Sequence, residues 1–135
     1  MDVPNEEVGL GVDIVEIARM RKIIDRSPAF VEKVYSAAER AYCDSHAHPE
    51  VHYATRFAAK EAVSKALGTG FSQGIGLKDI EICHRESGAP YAVLHGAAEK
   101  RRKELGGRLH VSVSHIQAIA VAQAVMEDGS ETGSR

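Results

Sequence analysis

No apolar run in this 135-residue chain approaches the ~20 residues needed to span a bilayer, so no membrane-crossing helix is expected. Cysteine is scarce. The two present, Cys43 and Cys83, lie far apart and form neither a C-x-x-C pair nor a zinc-ribbon spacing. Free thiols in a reducing compartment are the expectation. Charge of either sign is not in excess: the net charge is −2 and the pI about 6.4, which argues against a general nucleic-acid or membrane-surface binder, though not against a local basic patch. The N-terminus, Met-Asp-Val-Pro-Asn-Glu-Glu, lacks the basic-then-apolar pattern of a signal peptide. A cytoplasmic protein is expected. There is no internal repeat, and the length fits one domain over residues 1–135. Its expected core runs from Val8 to Met126, followed by a disordered tail without apolar residues.

The stretch Arg56-Phe-Ala-Ala-Lys-Glu-Ala-Val-Ser-Lys-Ala-Leu-Gly-Thr-Gly70 carries the most information. Alanine and straight-chain residues predict a helix from about Glu50 to Leu67, and Gly68 then ends it. Residues ~100° apart around that helix place Glu61 beside Ala54, Phe57 and Ala58, on the stripe that normally faces a core. A carboxylate there is costly unless something positive meets it. Lys65 follows one turn later, so a surface Glu61–Lys65 pair is the simplest alternative.

Val8 to Ile17 reads as a strand leading into a helix. Val8, Leu10 and Val12 share one face, and Gly9, Gly11 and Asp13 share the other, where another backbone or a ligand can come close. Asp13 is either the cap of the next helix, which the local sequence favours, or a ligand for something positive. The helix that follows exposes Arg19, Arg21 and Lys22 and is broken at Arg26-Ser-Pro28. Ser36-Ala-Ala-Glu39 matches a capping box. His46, His48 and His52 have chelating spacing without a fourth ligand, which favours a solvated connector over zinc. The loop from Gly68 to Gly76 is not a P-loop, since no Gly-Lys-Ser/Thr follows its glycines. Strands are expected at Asp79–His84, Pro90–Leu94, Leu109–His115 and Ala118–Met126. A helix with a solvated basic face, Lys100 to Lys103, is expected between the two pairs.

Three segments stand out together: Gly11-Val-Asp13-Ile-Val-Glu-Ile17, Arg56 to Gly70, and Val113-Ser-His115. In this order and at these separations, the chain resembles the holo-acyl-carrier-protein synthases, small members of the 4′-phosphopantetheinyl transferase superfamily. Asp79-Ile-Glu81 and Gly88-x-Pro-Tyr91 also look like the family's later strands. The resemblance implies an α+β fold, an antiparallel sheet packed on a long central helix. It implies transfer of phosphopantetheine from coenzyme A to a serine of apo acyl carrier protein, with release of adenosine 3′,5′-bisphosphate. By the same resemblance Asp13 and Glu61 hold Mg²⁺, and Lys65 reaches a phosphate. Arg56 and His115 meet the nucleotide end of coenzyme A, along which the turn Gly68-Thr69-Gly70 lies. Glu61, or failing it His115, is the general base. Arg19 and Arg26 dock the acidic carrier, and the protein forms a homotrimer with sites at subunit interfaces. Some family members carry Thr or Asp where this chain has Ile116. Two other readings remain open: a metal-dependent nucleotide phosphohydrolase using Asp13 and Glu61, and an inactive coenzyme A-binding module.

Overall fold

The computed structural model describes residues 9–128. Its elements run β1 (Gly9–Glu16), α1 (Ile17–Arg26), α2 (Pro28–Val34), α3 (Ala37–Asp44), α4 (Pro49–Ala66), a 3-10 turn (Leu77–Asp79), β2 (Ile80–His84), β3 (Pro90–Leu94), α5 (Gly96–Leu105), β4 (Gly107–His115) and β5 (Ile119–Asp128). The strands form an antiparallel sheet in the order β1-β5-β4 and a β2-β3 hairpin. This is the α+β arrangement expected, with α4 as its central helix. Among the described residues, no helix is long and apolar enough to cross a membrane. Both cysteines are free.

Small residues decide how α4 meets the sheet. Its Ala58, Ala59, Ala62 and Ala66 are buried against the inner face of β5, where Ala122, Ala124 and Met126 are also buried. Alternation along β1 puts Gly9, Gly11 and Asp13 on that same inner face, in register with Met126, Ala124 and Ala122. A Cβ on Gly11 would run into the carbonyl oxygen of Ala62, and one on Gly9 into that of Ala66. The close backbone approach anticipated for this face is therefore made by α4. Gly11→Val is expected to lower stability by about 3 kcal/mol, at the upper end of overpacking costs, because backbone rather than a movable side chain stands in the way. A denaturant midpoint unchanged from the parent's would contradict this contact.

The structure corrects several expectations. Asp13 is not a helix cap: pairing with β5 continues to Glu16↔Ile119, so the strand passes through Asp13 and Glu16 takes the cap position. β5 extends past Met126, because Arg108 and His110 of β4 both bind Glu127 at 2.8 Å. The expected tail beyond Asp128, like Val8, lies outside the described residues. The basic face of α5 is partly engaged. Arg101 Nε donates to the Leu67 carbonyl at the end of α4 (2.9 Å), and Arg102 holds Glu99 and the Gly107 carbonyl.

The capping box at Ser36 and Glu39 forms as expected, with Ser36 N–H donating to Glu39 Oε1 at 2.9 Å. The same carboxylate does more than cap. Lys60 and Glu39 are 0% and 1% exposed and meet at 2.9 Å, while Glu39 Oε2 accepts from the Ile82 amide. Lys60 Nζ also donates to the carbonyls of Leu77 and Ile80, so all three of its N–H groups are used. This clamp ties α3, α4 and β2 together through the residue next to Glu61 in the chain.

Candidate active site

β1 and α4 bring the sequence-predicted acids together. Lys65 Nζ lies 3.4 Å from Asp13 Oδ1 and donates to the Val12 carbonyl at 3.0 Å. Lys65 therefore reaches across to the strand instead of pairing with Glu61 on its own helix. Glu61 is half-buried, and its carboxyl is raised above the usual range. Burial is the main cause and the Asp13 carboxylate the second, with Lys65 opposing both. Two close carboxylates, one of them resisting ionisation, are short of positive charge.

That donor set fits Mg²⁺, which takes oxygen ligands and needs only one or two carboxylates when substrate phosphates supply the rest. Among the described residues there is no cluster of three or more His, Cys, Asp or Glu that could hold a metal by itself. The turn after α4 adjoins this pair. Gly68 and Gly70 take φ of 82° and 58°, and Gly70 N–H caps the Ser64 carbonyl at 3.0 Å. Thr69 turns its hydroxyl back onto the Gly70 carbonyl.

Arg56 sits elsewhere. It is five residues before Glu61, hence about 140° away around α4. It is 3% exposed, donates from Nη2 to His84 Nδ1 at 2.9 Å, and lies 4.0 Å over the Tyr42 ring. Its Nε is buried with no hydrogen-bond partner. His46 and His52 join this second cluster, their rings 3.9 Å apart and packed on Tyr42. The solvated connector expected for them is thus corrected, although His48 does stay largely exposed. His115 ends β4 and lines a cavity of about 530 Å³ together with Ile17, Arg21, Glu50 and Ile116. On α1, Arg19 and Arg26 are exposed and two turns apart on one side, with Lys22 between them. Arg21 instead pairs with Glu50 at 3.6 Å.

Sequence reasoning missed Tyr42 and His84, which hold Arg56, and the Lys60–Glu39 clamp. The alanine-rich run around Lys60 was the available signal for the clamp, since a second charge inside it also needs a partner.

A profile of the 4′-phosphopantetheinyl transferase superfamily matches residues 9–122. A holo-[acyl-carrier-protein] synthase of Koribacter versatilis is 43% identical over 123 residues, covering 90% of this chain and 98% of that protein. A holo-(acyl-carrier-protein) synthase from Bacillus anthracis, solved in complex with CoA (3′,5′-ADP), superposes with a TM-score of 0.75 at 33% identity, covering 90% of this chain and 96% of that one. The Helicobacter pylori holo-[acyl-carrier-protein] synthase, solved with coenzyme A, gives 0.76 at 32% identity, covering 87% and 99%. The fold agrees with this match, and the chain belongs to the 4′-phosphopantetheinyl transferase superfamily.

Proposed function

We propose that the chain transfers 4′-phosphopantetheine from coenzyme A to a serine of an apo acyl carrier protein, releasing adenosine 3′,5′-bisphosphate. The observation that carries this reading is the meeting of Asp13, Glu61 and Lys65 from β1 and α4. Asp13 and Glu61 would hold Mg²⁺, which when bound supplies Lewis-acid stabilisation of charge on the phosphoryl oxygens. The serine Oγ attacks the pantetheine-side phosphorus of the pyrophosphate. The bond from that phosphorus to the bridging oxygen breaks, and the serine proton passes to Glu61 as general base. Lys65 turns from the Val12 carbonyl to the charge developing on the leaving phosphate. Arg56 and His115 hold the nucleotide end, along the Gly68-Thr69-Gly70 turn.

Intact mass of an apo carrier after incubation with the protein, coenzyme A and Mg²⁺ tests the reading. A gain of one phosphopantetheine, abolished by chelator, supports it. Loss of coenzyme A with the carrier unchanged would support a phosphohydrolase, and binding without turnover an inactive module.

Acyl carrier proteins present acidic helices, and Arg19 and Arg26 form an exposed basic line that suits them. Arg19→Glu is expected to raise the KM for carrier about tenfold, on the scale of steering effects of charge, with coenzyme A binding unchanged. An unchanged KM would move the docking surface elsewhere.

The working unit in this reading is a homotrimer in the cytoplasm. Two observations support shared sites: the Arg56 cluster and the acidic pair occupy different sides of α4, and the outer face of β1 is apolar. Leu10, Val12 and Ile14 are 65%, 57% and 64% exposed, which a single chain leaves uncovered. Light scattering should give three times the 14.6 kDa chain mass. Leu10→Asp costs an isolated chain little and should reduce that to a single chain. An unaltered mass in the variant would remove β1 from the interface.

A further inference from the structure

Tyr42 of α3 and His84 of β2 hold Arg56, His46 of the connector and His52 of α4 pack on Tyr42, and His115 of β4 is close enough to act electrostatically on His52. His84 stacks on Tyr42 at 4.6 Å and 3°. Arginine only donates, so His84 Nδ1 accepts from Nη2, which fixes its proton on Nε2 and leaves it neutral. Arg56 is therefore met by a neutral imidazole and an aromatic ring, neither of which carries negative charge. Its buried Nε still lacks an acceptor. The cluster is built for an anion that approaches the guanidinium.

The neighbouring imidazoles are poised to respond to one. Burial first, then His46, Arg56, His115 and His84, push the His52 ring down to about 4. Burial, Arg56 and His46 likewise lower His84. The nearby carboxylates have other partners: Asp44 accepts the Tyr53 hydroxyl at 2.9 Å, and Glu39 is neutralised by Lys60. Burial holds the thiols of Cys43 and Cys83 above their usual range, so both stay uncharged near neutrality. A dianion on Arg56 opposes the electrostatic part of these shifts, which adds to that of burial.

We propose that Arg56, His46, His52 and His84 form a proton-linked oxyanion site, in which a phosphate dianion seated on Arg56 draws a proton onto His52, the ring packed 3.9 Å from His46. The proposal rests on assigning Arg56 to the phosphate-bearing nucleotide end. It adds that Tyr42 and His84 are positioning residues for the guanidinium, and that phosphate affinity increases as pH falls through the neutral range. Each proton taken up makes binding tighter by at most about tenfold per pH unit.

Calorimetry of adenosine 3′,5′-bisphosphate binding, in two buffers of different ionisation enthalpy, counts the protons exchanged. A ligand phosphate held by arginine alone would release protons, since its second ionisation lies near pH 6. Net uptake that grows from about pH 8 to about pH 6.5 is expected, and it should disappear in a His46→Gln/His52→Gln variant. Net release by the parent, or equal counts in parent and variant, overturns the proposal and leaves the nucleotide assignment standing. Inorganic sulfate, which does not titrate in this range, is the second probe. It should raise the parent's Tm more at low pH than at high pH, whereas general salting-out stabilisation is present at both. If sulfate behaves so and the nucleotide does not bind, the oxyanion site stands and the nucleotide assignment falls. No pH dependence with either probe overturns the site itself.

Discussion

Glu61→Gln is expected to abolish phosphopantetheine transfer while leaving the fold at least as stable as the parent's. The loss is expected at about a thousandfold, since several kcal/mol of charge stabilisation are at stake and each ~1.36 kcal/mol is a factor of ten. The stability half follows from the sign of the carboxyl's shift. Burial and the Asp13 charge raise Glu61 above its ordinary value, so the ionised form is disfavoured in the folded state relative to the unfolded one. At neutral pH the unfolded chain has this group charged at no cost, and the folded chain does not. A neutral amide of the same shape removes that disadvantage together with the repulsion from Asp13. A residue that burdens the fold and is still present at the meeting of two elements is one whose use lies in function. Paired measurement of transfer rate and denaturant midpoint decides it. Retained activity with a lowered midpoint would make Glu61 a structural residue and take the metal from this site.

Lys60→Met should have the opposite profile, a large loss of stability. The substitution preserves much of the side chain's volume but leaves Glu39 as a buried carboxylate without a counter-charge, and strips a donor from the carbonyls of Leu77 and Ile80. Breaking a buried pair from one side costs about 3–5 kcal/mol, a large share of the roughly 5–15 kcal/mol that holds a domain together. Burial lowers the proton affinity of Lys60, and Glu39 opposes that shift without cancelling it. Glu39→Gln/Lys60→Met is expected to recover only part of the loss, because the single amide oxygen can accept from Ser36 or from Ile82 but not both, while no charge is left stranded. A single variant within about 1 kcal/mol of the parent would show that water reaches Glu39, contrary to its burial.

These two neighbours on α4 also show what the sequence made legible. Its alternation separated the glycine face of β1 from the Leu10–Val12 face, because side chains in a strand alternate whatever the strand packs on. Pro90–Leu94 emerged with its own bounds, since Gly88 and Pro90 punctuate it. Glu61 stood out because its stripe was otherwise apolar. Lys60 did not, since a lysine beside a glutamate in a helix reads as solvated charge, and its partner lies 21 residues away. Asp13 looked like a cap because helix and strand compete locally for such a residue, and only the pairing with β5 decides. The connector histidines read as solvated because nothing near them in sequence announces Tyr42 or His84 as the surface they pack on. Long-range partners are what a local pattern omits.

The seam between β1 and α4 has a kinetic meaning beyond its packing. With glycine against backbone, strand and helix have no side-chain layer between them through which one could slide or breathe independently of the other. The amides that β1 pairs with β5 and those of the facing turn of α4 are then expected to reach solvent only when the whole contact comes apart, in a unit that holds both Asp13 and Glu61. Sites that capture ligands by local opening draw on loosely held segments. Here the carboxylates are mounted on closely packed backbone, which is expected to exchange slowly, and adaptation to substrate is left to the turn at Gly68 and to whatever surfaces close over it.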